Sequence, residues 1–135
     1  MAERGKIDAI ERRTLAIRNQ AHRWRANPPQ TPVIAAGSTG SQPATRELLA
    51  AIAGLPQGAV VLPGLDQDMD EASWEALDPS HPQYGLHELL GALGRTRADV
   101  AEWPGAVGGS ARHFLLSELM RPAETSESWV KPEAA

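Results

Sequence analysis

The residues best suited to binding a ligand form a short loop of glycines and hydroxyl side chains: Gly37, Ser38, Thr39, Gly40 and Ser41. The loop follows an apolar run and precedes a helical pattern, so backbone N–H groups and the helix dipole there can bind a phosphate or another anion. The same residues can instead form a capped turn, in which Ser41 accepts hydrogen bonds from the first helical N–H groups. The pattern favours the capped turn and leaves the anion site open as the alternative.

Known phosphate-loop motifs do not fit this segment. A Walker A loop needs a lysine near the terminal phosphates, and the sequence has no lysine between Lys6 and Lys131. The dinucleotide-binding pattern G-x-G-x-x-G fails as well, because Gly37 and Gly40 are three residues apart. The sequence contains no G-x-S-x-G elbow, and no histidine is paired with a carboxylate at a spacing typical of a catalytic site. We therefore name no catalytic residue and expect neither ATPase nor nuclease activity.

Three acids recur at alternate positions after a second apolar run: Asp66, Asp68 and Asp70. An EF-hand would place glycine sixth and glutamate twelfth, where the chain has Glu71 and Leu77. Because acids favour a helix N-terminus, we predict that Asp68 or Asp70 caps a helix through Trp74 and Leu77, with a magnesium role as the alternative. His81 and His87 lack metal-ligand spacing and are predicted to be surface or hydrogen-bonded residues, so no metal site is expected.

Charge is divided unevenly along the chain. Residues 1–30 carry seven Arg/Lys and three acids, a balance of +4, whereas residues 31–135 carry six and fourteen, a balance of −8. The basic part reads as a helix from Gly5 to Arg25 with a narrow seam: Ile7, Ile10, Thr14, Ile17, Ala21 and Trp24. Five arginines lie mostly off that seam and can contact DNA phosphates: Arg12, Arg13, Arg18, Arg23 and Arg25. Of these, Arg12, Arg13 and Arg18 are the candidate site residues. The alternative is a solvated basic helix that pairs with the acidic part of the chain.

Two apolar runs bracket a helical pattern in the first half of the chain. Val33–Ala36 and Ala59–Leu62 are predicted to be buried strands, and the helix between them starts at Pro43 and stops at Gly54. Two buried strands joined through one helix favour a right-handed parallel βαβ unit. Further helices are predicted over Leu86–Leu93, over Ala98–Trp103, and after Gly108 with Phe114, Leu115 and Leu119 as its apolar residues.

These elements predict an α/β fold with more helices than strands. We expect a basic helix and Pro-rich linker over residues 1–31, an α/β segment over 32–122 and a polar tail over 123–135. With no cysteine, the sequence excludes disulfides and thiolate-ligated iron–sulfur clusters. No apolar run approaches the roughly 18 residues of a membrane span. A cytoplasmic location and no membrane partner are therefore expected.

Several segments of the sequence, taken in order, resemble a known family. They read PVIAAGSTGSQPATRELLAAIAGLPQGAVVLPGLD, DE-x-x-W-x-x-LD, HPQYGL and LLSELMRPAETSESW. Together they resemble the AddB subunit of the bacterial AddAB helicase–nuclease, in the form common in alphaproteobacteria. The resemblance runs from about Arg12 to about Trp129. AddB is a much larger protein, so we expect this chain to be an internal piece of it.

The resemblance implies a role in DNA double-strand break repair, in which AddAB unwinds and resects DNA ends. The helicase-like half of AddB has lost motor activity and helps to hold single-stranded DNA. For this chain the resemblance implies part of a P-loop NTPase-like, helicase-like domain, with DNA and an AddA-like helicase–nuclease subunit as partners. The family's iron–sulfur cluster, and the ATP and magnesium of the complex, are not expected in this chain.

The resemblance also concerns the GSTGS loop. The resemblance places this loop about where active relatives couple nucleotide to DNA. This is a similarity of position only, and it does not assign a function to the loop. A second hypothesis, from a different class, is a small stand-alone α/β protein that binds a phosphorylated ligand at the same loop.

Overall fold

The computed structural model describes residues 8–105 and 111–125. It is a mixed α/β structure, rich in helix, with one small parallel sheet. The described chain divides after Pro63 into two compact units. The division into three segments with boundaries at residues 31 and 122 stays a prediction from the sequence. Within the described ranges, every helix is too short or too polar to cross a membrane.

The first unit contains the predicted βαβ unit preceded by a long helix. Helix α1 spans Ala9–Ala26, strand β1 Val33–Ala36, helix α2 Pro43–Ala53 and strand β2 Gly58–Val61. The two strands pair in parallel, with Val33 opposite Gly58 and Ala36 opposite Val61. Proline at the first helical position and glycine after the last one delimit α2, as the sequence predicts.

Helix α1 packs on α2 over only part of its length. Of its side chains, Ala21 alone is buried, and Thr14, Ile17 and Trp24 are half-buried. The predicted seam fails at Ile10, which is 74% exposed, and Ile7 lies outside the described residues. The lengths explain the failure. The 18 residues of α1 span about 27 Å and the 11 residues of α2 about 16 Å, so α1 extends beyond its partner.

The two strands are less buried than the sequence predicts. No residue of β1 or β2 is fully buried, and Ile34 is 61% exposed. A two-stranded sheet with one covering helix, α2, has its other face open. The prediction of buried strands is therefore wrong, because the described part of the first unit supplies no second covering layer.

The second unit is helical. Its elements are α3 over Glu71–Glu75, α4 over Tyr84–Leu93, a 3-10 turn over Arg97–Asp99, and α5 over Ala111–Leu119. Its core is made mainly of apolar side chains: Met69, Trp74, Leu77, Leu86, Leu89 and Leu90. The predicted stop of α4 at Gly94 is confirmed, with φ of 62° at that glycine.

The helix predicted over Ala98–Trp103 is wrong. Only the 3-10 turn forms, and it ends at Val100, whose backbone is extended. At its start, the Asp99 carboxylate accepts hydrogen bonds from the Thr96 N–H at 2.7 Å and the Thr96 hydroxyl at 3.0 Å. Thr96 and Asp99 thus form a capping box around this single turn. Further along, Pro104 disfavours a helical conformation of Trp103, the residue before it. The glycines at 108 and 109, and the part of the predicted tail after Thr125, lie outside the described residues.

The tight turn from α2 into β2 predicts a sensitive glycine. A Cβ at Gly58 would lie 1.8 Å from the Ile52 carbonyl oxygen and 2.9 Å from the Leu55 Cβ. We expect Gly58→Ala to lower the free energy of unfolding of the first unit by about 2 kcal/mol or more, because backbone must move. Gly54→Ala is the control, since its Cβ meets only ordinary contacts at 3.6 Å. Equal stability of the two variants in urea denaturation would contradict the turn geometry.

Candidate nucleic-acid interface

The arginines of α1 fall into two sets, according to whether their side chains contact another described residue. Arg12 and Arg23 are eleven residues apart, close to three helical turns, and both project from the side opposite buried Ala21. Both are exposed, as is Arg13, which points about 80° from Ala21 around the helix. We call Arg12, Arg13 and Arg23 the outer arginines. Neither Arg12 nor Arg13 forms an ion pair with any described residue.

The other two arginines hold α1 against α2. Arg18 Nε donates to a carboxylate oxygen of Glu47 at 3.2 Å, and Arg25 Nη2 donates to the Glu47 carbonyl oxygen at 3.1 Å. The Arg18 and Glu47 side chains are 44% and 39% exposed, so this ion pair contributes less than about 1 kcal/mol. Arg18, a predicted phosphate contact, therefore has an intramolecular partner. Arg23, which the predicted site did not include, lies on the open face.

The glycine-containing loop connects β1 to α2 as predicted. Gly37 and Gly40 have φ of 78° and 63°, which glycine adopts without strain. The loop is held internally, because the Gly40 N–H donates to Ser38 Oγ at 3.3 Å and Arg46 Nε donates to the Gly40 carbonyl at 3.1 Å. Thr39 is half-buried. The loop therefore presents a defined backbone in front of α2.

The predicted cap by Ser41 is wrong. The N-cap of α2 is Gln42, whose side chain makes no capping hydrogen bond, and Ser41 is exposed. Pro43 occupies the first helical position, which puts the cap one residue after Ser41. The first N–H groups of α2 thus have no side-chain cap from residue 42, which leaves the anion-binding alternative for this loop open.

The acids after β2 bind the backbone of their own segment. Asp66 accepts from the N–H groups of Asp68 and Met69 at 2.9 and 3.0 Å. Asp70 caps α3, confirming the predicted cap, and accepts from the Ser73 N–H at 2.9 Å. That bond, together with the Ser73 hydroxyl and Arg121 at 2.7 Å, lowers the pKa of Asp70. The helix itself is shorter than predicted, because it ends at Glu75, before Leu77. Among the described residues, no three His, Asp or Glu side chains converge on a metal position.

A cleft in the second unit is the feature that sequence reasoning missed. It has a volume of about 490 Å³ and lies between α3, α4 and the 3-10 turn. The Arg97 guanidinium lies 4.6 Å from the centre of the Trp74 ring and forms a 2.6 Å ion pair with Glu71. His87 packs edge-on to Trp74, and its Nδ1 is buried without a hydrogen-bond partner.

The two histidines differ from each other. His81 is hydrogen-bonded, as predicted: its Nδ1 accepts from the Gln83 N–H at 3.1 Å, so its Nε2 carries the proton and donates to the Met120 carbonyl at 2.6 Å. His87 is half-buried and does not satisfy its Nδ1 within the described chain. No local sequence signal indicates the Trp74–Arg97 stacking, because these residues are 23 positions apart and are joined only by folding.

Comparison of the chain with protein-family models, with curated proteins and with solved structures finds no match. The outer arginines can neutralise phosphates without reading a base sequence. The loop before α2 can receive an anion, and the cleft can receive a small molecule.

The Asp70 cap leads to a stability prediction. Asp70→Ala removes the cap and the Arg121 ion pair, so we expect the free energy of unfolding of the second unit to fall by about 1–2 kcal/mol at pH 7. Asp70→Asn keeps an acceptor oxygen and should cost less. Because the folded-state pKa of Asp70 is lowered, the benefit of its charge exists above the unfolded value of about 3.9. The benefit disappears as pH falls through the folded value.

Urea denaturation followed by tryptophan fluorescence at pH 7 and at pH below about 4 measures both effects. The difference between the parent chain and Asp70→Asn should shrink at the lower pH. Asp68→Ala is the control, because the Asp68 side chain is exposed, and it should change stability by less than about 0.5 kcal/mol. A loss in Asp68→Ala as large as that in Asp70→Ala would contradict the assigned cap.

Proposed function

We propose that this chain is a non-catalytic part of a DNA double-strand break repair machine of the AddAB helicase–nuclease type. It corresponds to a helicase-like α/β segment of an AddB-like subunit, part of a P-loop NTPase-like domain. It acts in the cytoplasm by binding DNA ends or single strands and by assembling with an AddA-like subunit. The order of the resembling segments and the βαβ unit built from the first of them support this assignment.

The observation that carries the DNA-binding part of the proposal is the position of the outer arginines. Helix α1 is docked by Ala21 and by the contacts of Arg18 and Arg25, which turns Arg12 and Arg23 toward solvent. Exposed arginines along a fixed helix are suited to several phosphates of one strand, since the guanidinium makes charge-assisted hydrogen bonds to phosphate oxygens. The binding would be independent of sequence and sensitive to salt.

The distribution of charge restricts this binding to the first unit. Residues 1–63 carry eight Arg/Lys and four acids, a balance of +4. Residues 64–135 carry five and thirteen, a balance of −8, which repels phosphates. The chain has no cysteine that could ligate the family's iron–sulfur cluster and no lysine in its glycine-containing loop. Cluster, ATP and magnesium chemistry would therefore belong to other parts of the complex.

A phosphorylated small-molecule ligand at the GSTGS loop is the second candidate function. The observation in its favour is the N-terminus of α2, which Gln42 does not cap and which follows two glycines in left-handed backbone conformations. This candidate predicts that phosphate-bearing ligands bind the first unit without help from α1. Its binding would therefore be unaffected by substitution of the outer arginines.

Single-stranded DNA binding measured over a salt series tests the first proposal. We expect Arg12→Glu/Arg13→Glu to weaken binding of a fluorescent oligo-dT by at least about tenfold, since two phosphate contacts become repulsive. The slope of log K against log salt should become shallower by about 1.4, which is roughly 0.7 for each lost phosphate of a single strand. Fluorescence anisotropy at 50–200 mM salt, over which the screening length falls from about 14 to about 7 Å, measures both the affinity and the slope.

The matched control is Arg18→Glu/Arg25→Glu, which changes the net charge by the same amount at the two arginines that contact α2. It should weaken the docking of α1 on α2, because both arginines contact Glu47. It should leave the salt slope close to that of the parent chain. Absence of DNA binding by the parent at low salt, or equal slopes in the two double variants, would overturn the proposal.

A further inference from the structure

The cleft of the second unit has one wall that several contacts hold in place. Its volume of about 490 Å³ falls within the range of small-molecule sites. Arg97 builds this wall, because its guanidinium stacks on the Trp74 ring and pairs with Glu71. The same guanidinium donates to the carbonyl oxygens of Asp66 at 3.2 Å and Met69 at 2.5 Å. Only 11% of the side chain is exposed, so Arg97 shapes the wall and leaves little surface for a ligand.

Gly91 keeps the cleft open on the side of α4. It lies four positions after His87, on the same face of the helix, and both residues line the cleft. Glycine destabilises a helix interior, and neither of the usual reasons for it applies here. Its φ lies outside the left-handed region, and a Cβ at Gly91 would meet no atom within 4 Å. A larger side chain would therefore fit the backbone and fill part of the cleft.

Two charged side chains on the cleft have no partner within the described chain. Glu75 lies four positions after Glu71 on α3, but Arg97 pairs only with Glu71. Arg95 follows the C-terminal glycine of α4, and its side chain forms no hydrogen bond or ion pair with any described residue. The carboxylate of nearby Asp99 is engaged in the capping box of the 3-10 turn. Among the described residues, the cleft thus has one unpaired carboxylate and one unpaired guanidinium, on two different segments.

We propose that the cleft binds a small zwitterion, a molecule of the free amino acid type with one ammonium and one carboxylate. This inference goes beyond the proposed DNA-binding function and does not rest on it. Arg95 receives the carboxylate through charge-assisted hydrogen bonds, and Glu75 receives the ammonium. Two acids and two arginines line the cleft, so its formal charges sum to zero and favour a ligand without net charge. A phosphate-bearing ligand is disfavoured, because residues 64–135 carry five Arg/Lys and thirteen acids.

His87 adds a polar group to the same cleft. Its Nδ1 is buried without a hydrogen-bond partner in the described chain, and its ring lies 5.2 Å from the Trp74 ring and 6.4 Å from the Tyr84 ring. A buried polar atom without a partner is unfavourable. A neutral imidazole nitrogen either donates or accepts a hydrogen bond, and a zwitterion offers one group for each case. His87 is therefore a further polar contact for the same class of ligand.

NMR titration of the isotope-labelled full chain with simple zwitterions tests the site. The probes are glycine, β-alanine and γ-aminobutyrate, which separate the two charges by increasing lengths. At least one of them should shift the indole N–H signal of Trp74 and the ring signals of His87. The expected dissociation constant is on the order of 1 mM, because Glu75 and Arg95 are exposed and each contact is weak.

Probes that keep a single charge show whether both ends of the ligand are bound. Acetate, butyrate and the corresponding alkylammonium ions should bind at least about threefold more weakly than the best zwitterion, since each loses one charged contact. Absence of shifts at Trp74 and His87 with every zwitterion overturns the proposal. Equal affinity for the best zwitterion and for a probe with one charge overturns it as well.

Charge-neutralising variants assign the two ends of the ligand. Glu75→Gln should remove the advantage of the best zwitterion over the carboxylate probe, and Arg95→Gln its advantage over the alkylammonium probe. Asp68→Asn and Arg112→Gln change the net charge equally at exposed positions outside the cleft, and should preserve both advantages. Equal losses in the cleft variants and in these controls would contradict the assigned contacts.

A variant that fills the cleft tests its location without endangering the fold. Gly91→Gln should weaken binding of the best zwitterion by at least about tenfold, because the new side chain occupies the cleft. Its midpoint in urea should equal or exceed that of the parent, since glutamine forms helix better than glycine and its Cβ meets no atom. Ala92→Gln, at the neighbouring exposed position of α4 outside the cleft, should bind like the parent. Unchanged binding by Gly91→Gln, or an equal loss in Ala92→Gln, overturns the site.

Discussion

Helix α2 is the element on which the first unit depends, because it packs against α1 and against both strands. It contributes four buried side chains: Ala44, Leu49, Ala51 and Ile52. Since one helix covers one face of a two-stranded sheet, the opposite face stays open and Ile34 is exposed. Since α1 contacts α2 along one side, its other side carries Arg12 and Arg23 in solvent. The basic surface proposed to bind DNA is thus a consequence of how few layers the unit has.

The second unit also leaves apolar side chains uncovered. Trp74, Leu86 and Leu89 make a core, but α5 is attached by hydrogen bonds and ion pairs and does not bury its leucines. Apolar surface that remains in water costs about 25 cal/mol for each Å², so exposure of this kind favours association. The proposed role as a part of a larger repair machine accounts for the open faces by the same reasoning.

Local signals made the first unit predictable from the sequence. Proline and glycine at residues 43 and 54 delimit α2 by their backbone restrictions, and Val33–Ala36 is a strand as predicted. The Asp70 cap is likewise a local feature, because the acceptor and the N–H group of Ser73 are three residues apart. The predictions that failed depend on partners distant in the chain. Ile10 is exposed because α2 is shorter than α1, which periodicity alone does not indicate.

Prediction of the candidate site succeeded only in part for a similar reason. Composition identified a basic helix, but the docking of α1 on α2 decides which arginines have a partner within the chain. Arg18 pairs with Glu47, whereas Arg23 is exposed to solvent. The stacking of Arg97 on Trp74 joins residues that are far apart in the sequence. An apolar pattern in α5 likewise predicts an apolar face without identifying what covers it.

Photo-cross-linking of the full chain to a 4-thiothymidine oligonucleotide, with the linked peptides identified by mass spectrometry, tests the central claim most directly. A zero-length cross-link reports which residues touch the strand, independent of any substitution. We predict that the linked peptides come from residues 9–26, around Arg12, Arg13 and Arg23. Linkage confined to residues 37–41 would point to the loop before α2, and linkage to the second unit would conflict with its charge. Either result would contradict DNA binding by the outer arginines.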